Sequence, residues 1–372
     1  MDDTPVYLVP VTFGFGPAAL ATAVARQIRQ RHPDLPVVGV GNGIAFDFLR
    51  SSGVFGGGLV EWPPGELPDS VGRSGPAVTV FFADFDRLRV AKVRGLRTVV
   101  VDPLYWMWES DPAEPTSVDR YFALAFPGVA ERLTQRGNHG EAVRIVSQIV
   151  DLETPAPQTQ RAGTVLNLGG AVAPMGDNRR YLRTLIELVR QTLGPVEDLL
   201  VTCSSEARKA ICRDGPIPGA TVSELPFSEM MSTLGRCARL LTLPGQSIMW
   251  EALRMRTPTV VLPGANYSQH RQLGAYRRFF AGMEFIGWDD LDGYHMLPAG
   301  LPEERGVTLA VELGNRLSAD QCGRTQLAKL VTGILSCGPS EAPTLRDGHP
   351  WQDFGGAVQV ADEIYALARE VR

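Results

Sequence analysis

Metal-ligating spacings, long apolar runs and a basic excess are all missing from this 372-residue chain. Its five histidines include no HxH or HxxxH pair, which removes the usual zinc signatures. Five cysteines (Cys203, Cys212, Cys237, Cys322 and Cys337) are scattered, without a CxxC pair. The opening MDDTPVYLVP is acidic and then apolar, lacking the charged n-region of a signal peptide. Both features predict a cytoplasmic protein with unpaired, mostly buried thiols. No window is apolar for long enough to cross a bilayer. Lys and Arg number 36 against 41 Asp and Glu, a net charge of −5 that argues against general nucleic-acid binding. Neither a metal nor a cofactor is expected.

What the chain does have is alternation. Val6–Val11 reads as a buried strand, Gly14–Pro17 as a glycine turn, Ala18–Arg31 as a helix and Val37–Val40 as a second strand. Val78–Ala83 and Thr98–Val101 are further strands, with a helix near Arg87–Arg94 between them. Continuous apolar strands interleaved with helices indicate a parallel sheet covered on both faces. Asp151–Gly163 carries two prolines and no apolar periodicity, so it reads as a linker. The pattern then restarts: strand Val165–Leu168, loop Gly169–Asp177, helix Arg179–Leu193, and strands at Leu199–Cys203, Leu240–Leu243 and Thr259–Leu262. Two Rossmann-like α/β domains facing across a cleft follow, over 1–150 and 164–354, with residues 355–372 as a helix returning to the first. The insertion Gly53–Gly75 is too rich in Gly and Pro for regular structure and reads as a functional or disordered loop.

The stretch Leu240–Gln272 concentrates the chemistry. A short strand meets Pro244-Gly245-Gln246, and a helix is expected behind Ser247 with Glu251 one turn in. A helix N-terminus at a strand's carboxyl end is an anion pocket, and a nearby carboxylate suits ribose hydroxyls. The polar loop expected over 264–272 ends in Gln269, His270, Arg271 and Gln272, donors for hydroxyls, phosphates or a carboxylate. Asn167-Leu168-Gly169-Gly170 exposes amides at another strand end. Phe227, ahead of a helix at Ser228, is a candidate to pack on a base or to join the core.

In the first domain Phe13-Gly14-Phe15-Gly16 lacks the third glycine of a dinucleotide fingerprint. Gly41-Asn42-Gly43 stands where the ribose-binding acid belongs, so NAD is disfavoured. Gly14 and Gly16 either admit a substrate to the backbone or simply make the turn. Asp84, Asp102 and Glu109 follow strands and are candidates for a general base, Asp102 first. Tyr105, Trp106 and Trp108 beside them offer flat surfaces for a ring, or core.

The sequence PGQSIMWEAL at 244–253, NLGG at 167–170, the glutamine-rich loop and the returning helix together resemble the GT-B glycosyltransferases. The chain departs from that motif with Ser247 for a usual Thr and Arg256 for a usual Gly. It also has no His in the first loop, where many GT-B enzymes carry a catalytic one, which throws weight onto a carboxylate. VTFGFGPAAL at 11–20 and VDPLYWMW at 101–108 are similar to cytosylglucuronate synthases of nucleoside-antibiotic pathways. The resemblance implies transfer of glucuronic acid from UDP-glucuronate to cytosine or hydroxymethylcytosine, without a metal. It places the donor on Gly169, Gly170, Phe227, Pro244, Gly245, Gln246, Ser247, Glu251, Gln269, His270 and Arg271. The acceptor falls to Phe13, Gly14, Phe15, Gly16, Tyr105, Trp106 and Trp108. The expected partners are a UDP-sugar and a small acceptor, with no nucleic acid or membrane span. A homodimer, a different acceptor, a UDP-sugar 2-epimerase and a non-catalytic binding module stay open.

Overall fold

The computed structural model describes residues 4–63, 68, 70–71, 77–109, 112–137, 141–151, 158–170, 176–194, 197–337, 341–346 and 353–370. The chain divides into two units, Met1–Glu153 with His349–Arg372, and Thr154–Gly348.

The N-terminal unit is a seven-stranded parallel sheet. Its strands are β1 (Val6–Pro10), β2 (Val37–Gly41), β3 (Leu59–Glu61), β4 (Val78–Phe82), β5 (Arg97–Asp102), β6 (Arg120–Leu124) and β7 (Val143–Val146), in the order β3-β2-β1-β4-β5-β6-β7. Helices α1 (Gly16–Arg31), α2 (Gly43–Ser51), α3 (Phe85–Val93) and α4 (Val129–Arg136) connect them. Every residue of VYLVP in β1 and of VTVFF in β4 is buried, because helices cover both faces. Strand β3 corrects the expectation of an irregular 53–75 insertion. It pairs with β2 at the sheet edge, and Phe55 and Trp62 on either side of it are buried. The part of that insertion over 64–67, 69 and 72–76 lies outside the described residues. Strands β6 and β7 had no counterpart in the sequence reading.

The C-terminal unit repeats the plan with β8 (Thr164–Gly169), β9 (Leu199–Cys203), β10 (Ala220–Ser223), β11 (Arg239–Thr242), β12 (Thr259–Val261) and, past a short β13 (Phe280–Ala281), β14 (Met283–Phe285). Six of these make a parallel sheet ordered β10-β9-β8-β11-β12-β14, while β13 pairs antiparallel with β15 (Thr344–Leu345). Its helices are α5 (Arg179–Leu193), α6 (Ser205–Ile211), α7 (Phe227–Arg236), α8 (Gln246–Arg254), α9 (Tyr267–Phe279), α10 (Glu303–Ala319) and α11 (Gln321–Ser336). Helix α9 occupies most of what read as a polar loop over 264–272. Asn266 caps it, its Oδ1 accepting from the Gln269 amide at 3.0 Å, while Tyr267, Leu273 and Tyr276 bury its inner face. In each unit the first strand lies between its successor and the strand at which the chain reverses direction, β1 between β2 and β4 and β8 between β9 and β11. Such a switch point opens a crevice at the strands' carboxyl ends.

The thiols differ from expectation. Cys203 and Cys237 are buried, Cys212 is half-buried, and Cys322 and Cys337 are exposed on and just beyond α11.

The last helix, α12 (Gly356–Glu370), belongs to the N-terminal unit. Val360, Ala361 and Ile364 are fully buried along one face. Around them Arg31 grips Asp362 with two bonds of 2.9 and 2.8 Å, His32 meets the same carboxylate at 3.0 Å, and Arg144 reaches Glu363 at 2.5 Å. Exposed pairs of this kind stabilise by at most ~1 kcal/mol each, so the apolar seam dominates. Gly356 lies tight against the chain just past β7, where an added Cβ would lie 2.0 Å from the backbone oxygen of Ser147. Gly356→Ala is therefore expected to destabilise the unit by about 1–3 kcal/mol, since backbone cannot step aside as a side chain can. Thermal melts of the two proteins test this; equal midpoints would refute the close packing.

Candidate functional site

At the C-terminal switch point, one side chain joins three strands. Asn167 sits level with Thr202 on β9 and with Thr242 on β11. Its Nδ2 donates to Thr242 Oγ1 at 3.1 Å, and its Oδ1 accepts from Thr202 Oγ1 at 3.0 Å and from the Gly169 amide at 3.3 Å. Thr202 and Thr242 were missed by sequence reading, although a polar residue at one level of three apolar strands was the available signal. Beyond the network Gly169 turns with φ +59°, and nothing lies within 4 Å of where its Cβ would be. Only glycine takes that conformation cheaply, and the backbone there is open to a ligand.

Helix α8 begins at Gln246 behind an extended Gly245, with no side-chain cap. Its first amides are thus unclaimed by a cap and face the carboxyl end of β11. Both polar atoms of the Gln246 amide are buried without a hydrogen-bond partner. Ser247 follows in the first turn and is half-buried. Glu251 is the sixth residue of α8, in its second turn rather than its first, and is 8% exposed.

The helix ends where the motif expects glycine. Arg256 has φ +51°, and the amides of Arg256 and Thr257 donate to the carbonyls of Leu253 and Ala252 at 3.1 and 2.9 Å. This is a Schellman turn, whose left-handed residue is ordinarily Gly. An arginine there costs of order 1–2 kcal/mol in backbone strain. Arg256→Gly is expected to recover about 1 kcal/mol in urea unfolding at neutral pH, and a loss of stability would show that the Arg side chain holds something.

Other expected donor residues are placed less favourably. Phe227 is 4% exposed at the start of α7 and presents little surface to a base. Gln269 Oε1 accepts from the Ala265 amide at 2.8 Å, so this side chain serves the turn ahead of α9. Arg271 is half-buried beside Tyr267, its guanidinium 5.9 Å from the ring centroid. His270 is 1% exposed and lies parallel to Trp288 with centroids 5.9 Å apart. Burial pushes its pKa down to about 4, so the imidazole is neutral at pH 7. A histidine with a folded pKa of about 4 and an ordinary value of 6.5 when unfolded contributes stability fully present above 6.5. That stability is lost as pH falls towards 4. Between pH 7 and pH 5 the native protein should lose about 2 kcal/mol more than His270→Gln, measured by urea unfolding at both values. Parallel losses would place the effect elsewhere.

In the N-terminal unit, the loop after β1 carries Phe13, Gly14, Phe15 and Gly16. Gly14 has φ +74° with nothing within 4 Å of a Cβ position, as at Gly169 in the other unit. Phe15 packs on Phe48 at 5.3 Å. Beside this loop Asp84 caps α3, 3% exposed, accepting from the Arg87 amide at 3.0 Å and its guanidinium at 2.5 Å. Arg87 also donates to Asn42 Oδ1 at 2.8 Å and the Trp62 carbonyl at 2.7 Å, and Thr12 bonds the same Asn42 oxygen. One arginine thereby joins the carboxyl ends of β2, β3 and β4. Burial raises the Asp84 pKa, and Arg87 opposes the rise. Ala83, just before it, holds φ +55°. Arg87 and Asn42 were not expected, and a polar pair at the switch point was their only trace.

Asp102 departs most from expectation. It has no exposed surface, and three donors fill it: the Leu104 amide at 2.8 Å, Trp108 Nε1 at 3.0 Å and the Tyr121 hydroxyl at 2.7 Å. Burial raises its pKa to about 6 against those bonds. This environment suits an internal acceptor rather than a base open to substrate. Tyr105 is equally buried, packed edge-on to Tyr121, and offers no face. Trp106 stacks on Phe126 at 4.7 Å and Trp108 meets Phe85 edge-on at 6.2 Å, both half-buried. Glu109 is exposed. Among the described residues no group of three or more His, Cys, Asp or Glu could hold a metal, and no helix is long and apolar enough to cross a membrane.

No protein-family model matches this chain, and no curated protein does. Among solved structures it is similar to the UDP co-structure of S. aureus MnaA, with a TM-score of 0.52 at 12% identity over 98% of this chain and 97% of that one. It is also similar to a protein assigned as a UDP-N-acetylglucosamine 2-epimerase from Listeria monocytogenes, at 0.51 and 12% over 99% and 97%. CalG4, the calicheamicin glycosyltransferase, aligns at 0.46 and 14% over 98% of both chains. With two Rossmann-like parallel-sheet units and a terminal helix returning to the first, the chain has the GT-B fold.

Proposed function

We propose that the chain is a glycosyltransferase that takes glucuronic acid from UDP-glucuronate to a ring nitrogen of cytosine or hydroxymethylcytosine. The observation that carries this reading lies at the carboxyl ends of two paired strands of the C-terminal unit, where β8 ends in the open backbone of Gly169 and β11 leads into the uncapped start of α8, with the buried Glu251 in that helix's second turn. The amides of Gly170 and Ser247 receive the diphosphate beside the open backbone of Gly169, the positive end of α8 adding to their effect. Glu251 accepts from the ribose, and Arg271 takes the sugar carboxylate bidentately. That a neighbouring fold was solved with UDP supports the choice of nucleotide.

In the N-terminal unit the loop Phe13–Gly16 receives the acceptor, with Trp106 and Trp108 as ring surfaces. The acceptor nitrogen attacks the anomeric carbon, the bond to the diphosphate oxygen breaks, and UDP leaves through an oxocarbenium-like state. Asp84 takes the nitrogen's proton, and burial moves its pKa in the direction that suits a base. A UDP-sugar 2-epimerase is the second reading, favoured by the Listeria neighbour. Incubation with UDP-, TDP- and GDP-sugars, with and without cytosine, separates the two. Transfer requires cytosine for UDP release, whereas epimerisation proceeds without an acceptor. Independently, Glu251→Ala should weaken UDP binding about tenfold or more in a calorimetric titration, the worth of one charge-assisted hydrogen bond. Unchanged affinity in a folded variant would remove Glu251 from the ribose.

A further inference from the structure

We propose that Trp108 is the stacking platform of a planar-ring subsite in the N-terminal unit, and that Asp102 is the positioning residue that fixes its indole. The subsite rests on the acceptor reading above; the coupling between the two residues does not. Trp108 is half-buried, with its only polar atom turned inward to Asp102 Oδ2 at 3.0 Å. The ring is therefore fixed at its Nε1, and its remaining surface carries no polar group to satisfy. It meets Phe85 edge-on at 6.2 Å, and Phe85 is the residue directly after Asp84 at the carboxyl end of β4. The indole thus packs on the first residue of α3, the helix whose cap Asp84 and whose Arg87 form the polar cluster with Asn42. A heteroaromatic ring needs both: a face to stack on and an edge to hydrogen-bond.

The chemistry of the donors fixes what must stand at position 102. The Leu104 amide and Trp108 Nε1 donate only, and they address different oxygens, Oδ1 at 2.8 Å and Oδ2 at 3.0 Å. Both oxygens must accept. An asparagine would set its NH₂ against one of the two donors, and a protonated acid offers a much weaker acceptor on one side. Tyr121, which bonds Oδ2 at 2.7 Å, can rotate its hydroxyl to accept, but the indole cannot. Arg132 of α4 also acts on this carboxylate, its charge favouring ionisation, and its guanidinium lies 5.2 Å from the centroid of Tyr105, which packs edge-on to Tyr121. With burial holding the Asp102 pKa at about 6, the carboxylate is ionised at neutral pH and the platform loosens as pH falls through that value.

The test uses the full-length chain. Its six tryptophans blur the total emission, so the Trp108 signal is taken as wild type minus Trp108→Phe at each pH. This signal should change in a single step near pH 6 in the native background and be pH-independent in Asp102→Asn. If Asp102→Asn does not fold, the wild-type titration against Trp108→Phe still decides, and a flat trace would overturn the positioning role. Cytosine, uracil and adenine are then titrated singly at pH 7.5, with UDP affinity measured alongside. At least one should quench the Trp108 signal saturably, with its affinity falling about tenfold in Trp108→Ala and in Asp102→Asn. UDP affinity should stay within twofold. If UDP binds and none of the three rings quenches Trp108, the subsite is wrong. If UDP does not bind while Trp108 responds to rings and to Asp102, the nucleotide-sugar reading fails and the subsite stands.

Discussion

A strand that is paired on both edges and covered on both faces has its carboxyl and amino ends as the only places to present polar chemistry. In this chain β1 and β8 are such strands, each set at the point where its sheet reverses direction. Parallel pairing brings the carboxyl ends of neighbouring strands to one level, so a single polar side chain can bridge them. Asn167 does this in one unit by bonding Thr202 and Thr242, and Arg87 does it in the other by bonding Asn42, Asp84 and the Trp62 carbonyl. The open glycines Gly14 and Gly169 follow the same two strands. The two candidate sites are products of one geometric rule applied twice.

Burial then decides what a titratable residue can do at these edges. Asp102 and His270 are residue types that sequence reading associates with catalysis and with anion binding. Enclosure draws both into structural work. Three donors saturate the carboxylate of Asp102, and a neutral imidazole stacks on Trp288 within the core of the C-terminal unit. Arg271, one residue on along the same helix, is half-buried because adjacent helical positions point about 100° apart.

Backbone strain gathers at the same places. Ala83 and Arg256 are the non-glycine residues with positive φ among those described. One immediately precedes Asp84, and the other closes the helix that carries Glu251. Arg256 stands where the GT-B motif has a glycine, and it holds a left-handed backbone. The turn out of α8 needs a left-handed residue to satisfy the last carbonyls, so arginine adopts the conformation glycine would have taken more cheaply.

Alternating apolar strands and helices made the two-unit α/β architecture legible without coordinates, and the apolar runs in β1, β4, β5, β8 and β11 marked both sheet centres. The Pro244–Glu251 turn and helix were equally plain, because glycine, proline and an acid at fixed offsets are local signals. Edge strands such as β3, β7 and β10 were not, since they are short and draw their stability from one neighbour rather than from composition. Nor was helix α9, whose polar residues QHRQ mask an apolar face that only packing brings out. Local chemistry along the chain settled the elements and the likeness to one fold. Which side chains share a site was decided by the tertiary structure. Asn167 lies 35 residues from Thr202 and 75 from Thr242 along the chain, and strand register alone sets them at one level.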